Sequence, residues 1–353
     1  MQESLSCDLT ELSARFPKSL RLNGNTTTCS IAAAFYQGLI DCDNPSRTAP
    51  LPAYLQAEGP KRIPAFVFER LFVRRLEVSH EVSGNWFVCN ARDTKAPSIW
   101  FKLVSSVNDW SALDDAFTRS LMSRDIAVWK AWFEGTQLSL SEIGNQKTIL
   151  SAGQFLDKNP CGMNIERGRV RSMLTTGKIP GNALRMLTEA GQIVIDELIR
   201  SRIFINCFLE LTGGRPFDVD AICRREGQIF TTEFKRKYPS ENDFFGVDQH
   251  LIKLPRLLDG ICPLYHFVLE DLRGKHAKGS DPTTALMDAH NEGPNFRWHV
   301  LRLKPDFELT YTGRLETRGS DSGQRGGKRK QVAIPISEFT QLPAPETINV
   351  LGL

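Results

Sequence analysis

Three side chains in the second half of this sequence, Asp220, Glu233 and Lys235, combine types and spacing suited to hydrolysis of a phosphate ester. Residues 217–235 read Phe-Asp-Val-Asp-Ala-Ile-Cys-Arg-Arg-Glu-Gly-Gln-Ile-Phe-Thr-Thr-Glu-Phe-Lys. Strand side chains alternate faces, so Asp218 and Asp220 share one face while Phe217, Val219 and Ala221 share the other. In the second strand Glu233 and Lys235 share a face, opposite Phe230, Thr232 and Phe234. A two-residue turn at Glu226-Gly227, where a glycine suits positive φ, sets Asp220 opposite Glu233 and Asp218 opposite Lys235. Opposed Cβ atoms lie only about 4.5–5.5 Å apart, and like charges there destabilise a sheet. Two facing carboxylates therefore call for a cation between them. Oxygen-only ligands suit Mg²⁺, which keeps several waters and completes its shell from substrate phosphate. Lys235 then stands ready to orient or deprotonate a water and to offset charge developing on phosphorus. The expected chemistry is metal-assisted in-line hydrolysis of a phosphodiester.

The elements that must position these groups follow from pattern. Asn182 caps a helix carrying Leu184, Leu187, Val194 and Leu198, and a Gly-Gly turn at 213–214 leads into a strand from Phe217 to Cys223. The second strand runs from Ile229 to Lys235, and a helix starts near Ser240-Glu241-Asn242-Asp243 and runs towards Leu254. Further strands are expected at 263–269, 297–303, 306–312 and 330–336. The order predicts an α/β (α+β) core with a mixed sheet.

Asp220, Glu233 thirteen residues on, one spacer and Lys235, carried on a hairpin, resemble the PD-(D/E)xK nuclease superfamily, in its resolvase-like version. The resemblance covers roughly 182–270 well and leaves residues 1–155 untouched. It implies a restriction-endonuclease-like mixed-sheet core and a metal-dependent DNA endonuclease, with Asp220 and Glu233 as metal ligands and Lys235 completing the catalytic centre. Mg²⁺, with Mn²⁺ as substitute, is the implied cofactor and duplex DNA the implied partner. Pro216 lies two residues before Asp218, so the principal metal aspartate stays open between Asp218 and Asp220. Relatives often add a carboxylate from the preceding helix, for which Glu197 is the candidate and Glu189 the substitute. Some add a polar residue from the helix after the lysine, which Gln249 matches. Cutting both strands with one site per chain favours a homodimer or sequential nicking. A nuclease joined to an unfamiliar domain suits bacterial anti-phage defence or restriction, an analogy at family level. A silent nuclease fold serving as a DNA- or protein-binding subunit is the alternative.

Accident is the competing explanation for so short a pattern, and the chain supplies a control. Asp93-Thr94-Lys95 matches the tripeptide but precedes Ala96-Pro97, and position 80, thirteen residues earlier, is His80 rather than a carboxylate. Arg236 and Lys237, at the end of the catalytic strand, are candidates for gripping DNA phosphates, contacts that add affinity without reading sequence.

The rest of the chain sets bounds. A formal charge of +3 over 353 residues gives no bulk attraction to nucleic acid. No run approaches the roughly 18 apolar residues of a membrane helix, and the N-terminus has no signal-peptide pattern. The eight cysteines are scattered without a CxxC pair, against a disulfide framework or zinc ribbon. No Walker A loop, GxGxxG, GxSxG or HExxH is present. A cytoplasmic location is expected. Five of six tryptophans fall between 86 and 132, so two domains are expected: 1–155, an α+β recognition or partner-binding module, and 160–353, the nuclease-like domain. In the first, strands are expected at 64–78, 85–91 and 98–105 and one or two helices over 109–134, its tryptophans serving as core.

Overall fold

The computed structural model describes residues 49–52, 69–70, 72–90, 98–134, 137–144, 148–158, 174–177, 197, 200–201, 204–209, 215–237, 243–272, 295–318 and 328–348. The helix expected from Asn182 lies outside these residues, apart from helical positions at 197 and 200–201. The fold is mixed α/β, with sheets of parallel and antiparallel strands and few helices. Two compact units emerge, residues 1–63 with 85–218, and residues 64–84 with 219–353. Residues 155–160 fall inside the first. No helix among the described residues is long and apolar enough to cross a membrane.

The first unit holds a six-stranded sheet in the order Ile149–Ser151, Gln137–Glu142, Ala127–Glu134, Ile99–Val104, Trp86–Asn90, Arg215–Val219. Ile99–Val104 and Ala127–Glu134 run parallel, joined by the helix Ala112–Met122, whose Ser111 and Asp114 form a reciprocal capping box. The helix expected over 109–134 therefore ends early, because Val128-Trp129 and Trp132-Phe133 fill a β-strand instead. Trp86, Trp100, Trp129 and Trp132 are buried, in agreement with a core role. Trp86 donates its indole N–H to Asp114 at 3.1 Å, and Phe117 meets it edge-on at 5.0 Å.

Among its described residues the second unit carries nine strands, labelled here in chain order: β1 (Glu81–Ser83), β2 (Ala221–Arg225), β3 (Gln228–Lys237), β4 (Phe244–Asp248), β5 (Leu264–Asp271), β6 (Phe296–Leu303), β7 (Arg314–Arg318), β8 (Lys328–Pro335) and β9 (Thr340–Leu342). Six form one sheet in the order β9-β6-β5-β3-β2-β1, and three form another, β4-β8-β7. In the larger sheet β3 and β5 run parallel, while β2 with β3 and β5 with β6 are antiparallel. Its core is aromatic: Phe72 stacks on Phe234 with ring centroids 4.8 Å apart and meets Phe267 at 4.9 Å. Phe72 lies on a helical stretch at 69–70 and 72–76. This corrects the strand expected over 64–78, since Phe72, Val73 and Leu76 bury at helical spacing.

Two other expectations change. The segment after β3 forms β4 and then a short 3₁₀ turn, Gln249–Ile252, and the helix Lys253–Leu257. Phe245 and Val247 are fully buried and drive that choice, with Val247 paired to Val332 of β8. Residues 306–312 form a short helix, Phe307–Thr310, instead of a strand.

Candidate active site

The β2–β3 hairpin is the frame on which the candidate residues sit. Its ladder pairs Ala221 with Thr232 and Arg225 with Gln228, the register expected from the sequence. Glu226 and Gly227 take φ of 51° and 80°. Positive φ at both central positions gives the primed turn whose twist suits a two-residue hairpin.

The strand expected from Phe217 to Cys223 breaks at Asp220. Arg215–Val219 joins the sheet of the first unit, and β2 begins at Ala221 in the second. Asp218 is thus carried by the strand of the first sheet, exposed, and not on the ladder facing Lys235. Asp220 stands one step beyond the last ladder pair, Ala221 with Thr232, and its Oδ2 accepts from the Phe234 backbone N–H. The carboxylate takes a donor at the point where the ladder stops, so the Phe234 N–H is not orphaned at the break.

Glu233 and Lys235 share one face of β3, as alternation requires. Lys235 Nζ lies 2.6 Å from Glu233 Oε1, with the glutamate side chain 5% exposed and the lysine 30%. Burial disfavours the ammonium, but Glu233, Asp220 and Glu69 together hold Lys235 well above the ordinary lysine range. Lys235 therefore carries its proton at neutral pH, paired with Glu233.

Glu69 is a residue that sequence reasoning missed. It lies on the helical stretch whose Phe72 packs on β3, and its charge reaches Lys235. Glu197, by contrast, belongs to the first unit, and Glu189 lies outside the described residues. The signal was a helical period at 72, 73 and 76, concealed by a run that also reads as a strand.

The parallel ladder sets His266 beside Glu233, and partners in a ladder point to the same side of the sheet. His266 is fully buried. Burial first, then the charges of Lys237 and Lys235, push its pKa well below the ordinary histidine value, so the imidazole is neutral. The ring lies near enough to the Glu233 main chain to feel its dipole, yet neither nitrogen reaches hydrogen-bonding geometry with any described residue.

A second polar link comes from the smaller sheet. Gln331 donates to Asp248 at 2.6 Å, both buried, and the Gln331 side chain lies against the Cα of Gly246. Lys237 donates to the Gly246 carbonyl. Asp248 directly precedes Gln249, whose backbone sits in the 3₁₀ turn. Arg236 is ion-paired with the fully buried Asp271 at 2.6 Å, on the other face of β3. The two basic residues expected to grip phosphate thus hold a buried carboxylate and a main-chain carbonyl.

Among the described residues no three His, Cys, Asp or Glu side chains converge closely enough to hold a metal ion. The two carboxylates at the hairpin, Asp220 and Glu233, are hard oxygen donors, a set that fits Mg²⁺ when water and phosphate supply the remaining ligands. No model of a known protein family matches the chain, and no curated protein matches it.

Proposed function

We propose that this chain is a Mg²⁺-dependent DNA endonuclease of the PD-(D/E)xK type, with a restriction-endonuclease-like core in its second unit. The observation that carries the reading is the Glu233–Lys235 pair at 2.6 Å on one face of the hairpin. Asp220 ends the ladder beside it, and the charge of Glu69 reaches Lys235 from the helical side. A mixed sheet with an aromatic-packed helix on one face supports the fold assignment.

In this reading Asp220 and Glu233 would hold the metal, and the chemistry it would supply when bound is polarisation of the scissile phosphate and a lowered pKa for the attacking water. Lys235 turns its protonated amine from Glu233 towards the phosphate and offsets the charge that builds there. Because it stays protonated, the proton of the attacking water passes to solvent or to a carboxylate, not to Lys235. Glu69 is the added helix carboxylate, in the place first assigned to Glu197. Duplex DNA is the substrate, cutting of both strands needs two copies or two successive nicks, and the biological setting is bacterial anti-phage defence in the cytoplasm. The alternative, a silent scaffold, draws on the ammonium seated against Glu233 and on the want of a three-ligand cluster among the described residues. Incubation with supercoiled plasmid and Mg²⁺ or Mn²⁺ separates the two. The enzyme reading requires metal-dependent cleavage that is lost in Glu233→Ala and Lys235→Ala, and the scaffold reading requires DNA binding without cleavage under either metal.

A further inference from the structure

We propose that the cavity at the start of β5 binds a free aromatic amino acid, with Arg302 and Lys304 taking its carboxylate and Asp259 its ammonium group. The proposal goes beyond the nuclease reading and does not depend on it. The cavity lies wholly within the second unit and has a volume of about 260 Å³. Its deeper wall is apolar: Pro255, Leu258, Leu264 and Leu303 line it and are buried. Pro263 and Pro305 line it too, so three proline rings give rigid, flat surfaces that suit an aromatic side chain. The volume falls below the roughly 300–1,000 Å³ of drug-sized pockets, which limits the occupant to a small metabolite.

The charges decide the class of ligand. Asp259, Arg302 and Lys304 all line the cavity and are exposed, and none of the three forms an ion pair with a described residue. Arg302 has Tyr265, not a carboxylate, as its ladder partner. Two cations and a carboxylate that leave one another unpaired in one concave site complement a molecule carrying both charges. A plain anion would leave Asp259 opposing it. The nearby Arg256 is already committed, to Glu308 and to the Pro305 carbonyl. Those bonds tie the helix Lys253–Leu257 to the turn after β6, so opposite walls are held together without a ligand. The intervening turn is fixed as well, with the Ile261 and Cys262 N–H groups donating to the Leu258 carbonyl at 2.9 and 3.1 Å. Such preorganisation lowers the cost of binding, and an apolar cavity with a few convergent polar groups is the common form of a small-ligand site.

The test is calorimetry on the full-length chain in EDTA, with L-phenylalanine, 3-phenylpropionate, which lacks the ammonium group, and phenethylamine, which lacks the carboxylate. Phenylalanine should bind saturably, and each analogue should bind about tenfold or more weakly, the loss of one charge-assisted contact. Asp259→Asn should erase the preference for phenylalanine over 3-phenylpropionate. The double variant Arg302→Gln, Lys304→Gln should weaken both. These side chains are exposed, so the variants should melt as wild type does without ligand. Cys262, which lines the same cavity, places the site: its alkylation, read by peptide mapping, should slow when phenylalanine is bound. No binding of phenylalanine would overturn the proposal. So would 3-phenylpropionate binding as tightly as phenylalanine, binding that survives in the double variant, or a Cys262 that phenylalanine leaves unprotected.

Discussion

Removing the Lys235 ammonium while keeping Glu233 is the perturbation whose outcome the geometry fixes most tightly. In Lys235→Met the Glu233 carboxylate, 5% exposed, stays in a site that has lost its counter-charge. Breaking a buried ion pair from one side costs about 3–5 kcal/mol, whereas an exposed pair is worth about 0–1 kcal/mol. Lys235 is 30% exposed, so solvent screens part of the interaction and a loss of about 3 kcal/mol is expected. Adding Glu233→Gln removes that buried charge, and the double variant should sit within about 1 kcal/mol of wild type, recovering about 2 kcal/mol of the single variant's loss. The chain has two compact units, so a global unfolding curve need not be two-state. Hydrogen exchange of the β2–β3 amides, in EDTA at pH 7, reads the local stability directly. The sign with pH is also set. Burial without a cation raises the Glu233 pKa above the ordinary value of about 4.3 in the folded variant, so the folded state binds more protons than the unfolded chain. The defect of Lys235→Met is therefore full at pH 7 and shrinks as pH falls towards the carboxylate range. Equal protection in the single and double variants, or a defect that does not shrink in acid, would refute a stranded buried carboxylate.

Other consequences are smaller but as definite. His266 is held neutral, its pKa well below the ordinary value of about 6.5, and the unfolded chain takes up a proton the folded chain refuses. Stability should thus fall as pH drops below about 6.5, and His266→Phe should flatten that fall in an acid-unfolding series. Lys235 works the other way: its contribution is complete below about pH 10.4 and disappears only as pH rises through its raised folded value. A methyl group on Gly246 would overlap the Gln331 side chain and break its bond to the buried Asp248. Gly246→Ala should therefore cost about 1–3 kcal/mol by urea unfolding, and Gln331→Ala should remove most of that increment. At the hairpin turn Glu226 has φ of 51°, which asparagine adopts more readily, so Glu226→Asn should gain about 0.5 kcal/mol, while Gly227→Ala should lose about 1 kcal/mol. Glu69→Gln should depress metal-dependent cleavage, and Glu197→Gln should leave it near wild type, a comparison made in one plasmid assay.

The hairpin was legible in the sequence because its information is local. Alternation from Ala221 to Lys235 and the Glu-Gly pair at 226–227 dictate faces and turn, and the register Ala221–Thr232 follows by counting. The break at Asp220 was not legible. Phe217 and Val219 continue the alternation across it, and only the assignment of flanking strands to different sheets ends the first strand there. Glu69 stayed hidden because Phe72, Val73 and Leu76 also fit a buried strand, and what settles the period is packing on Phe234 and Phe267. Pairing of Glu233 with His266 joins strands about thirty residues apart, a long-range choice that local pattern cannot encode. Cys223 is a buried thiol, its pKa pushed up by burial. Cys262 is pushed up to about 12 for the same reason, so neither is primed for nucleophilic chemistry.

The most direct test of the central claim is the conversion of supercoiled plasmid to nicked or linear form by purified full-length protein in Mg²⁺ or Mn²⁺, beside Glu233→Ala and Lys235→Ala. The account predicts cleavage that stops in EDTA and is abolished in both variants while their folding is retained. Cleavage that survives in either well-folded variant, or none by wild type under either metal, would contradict it.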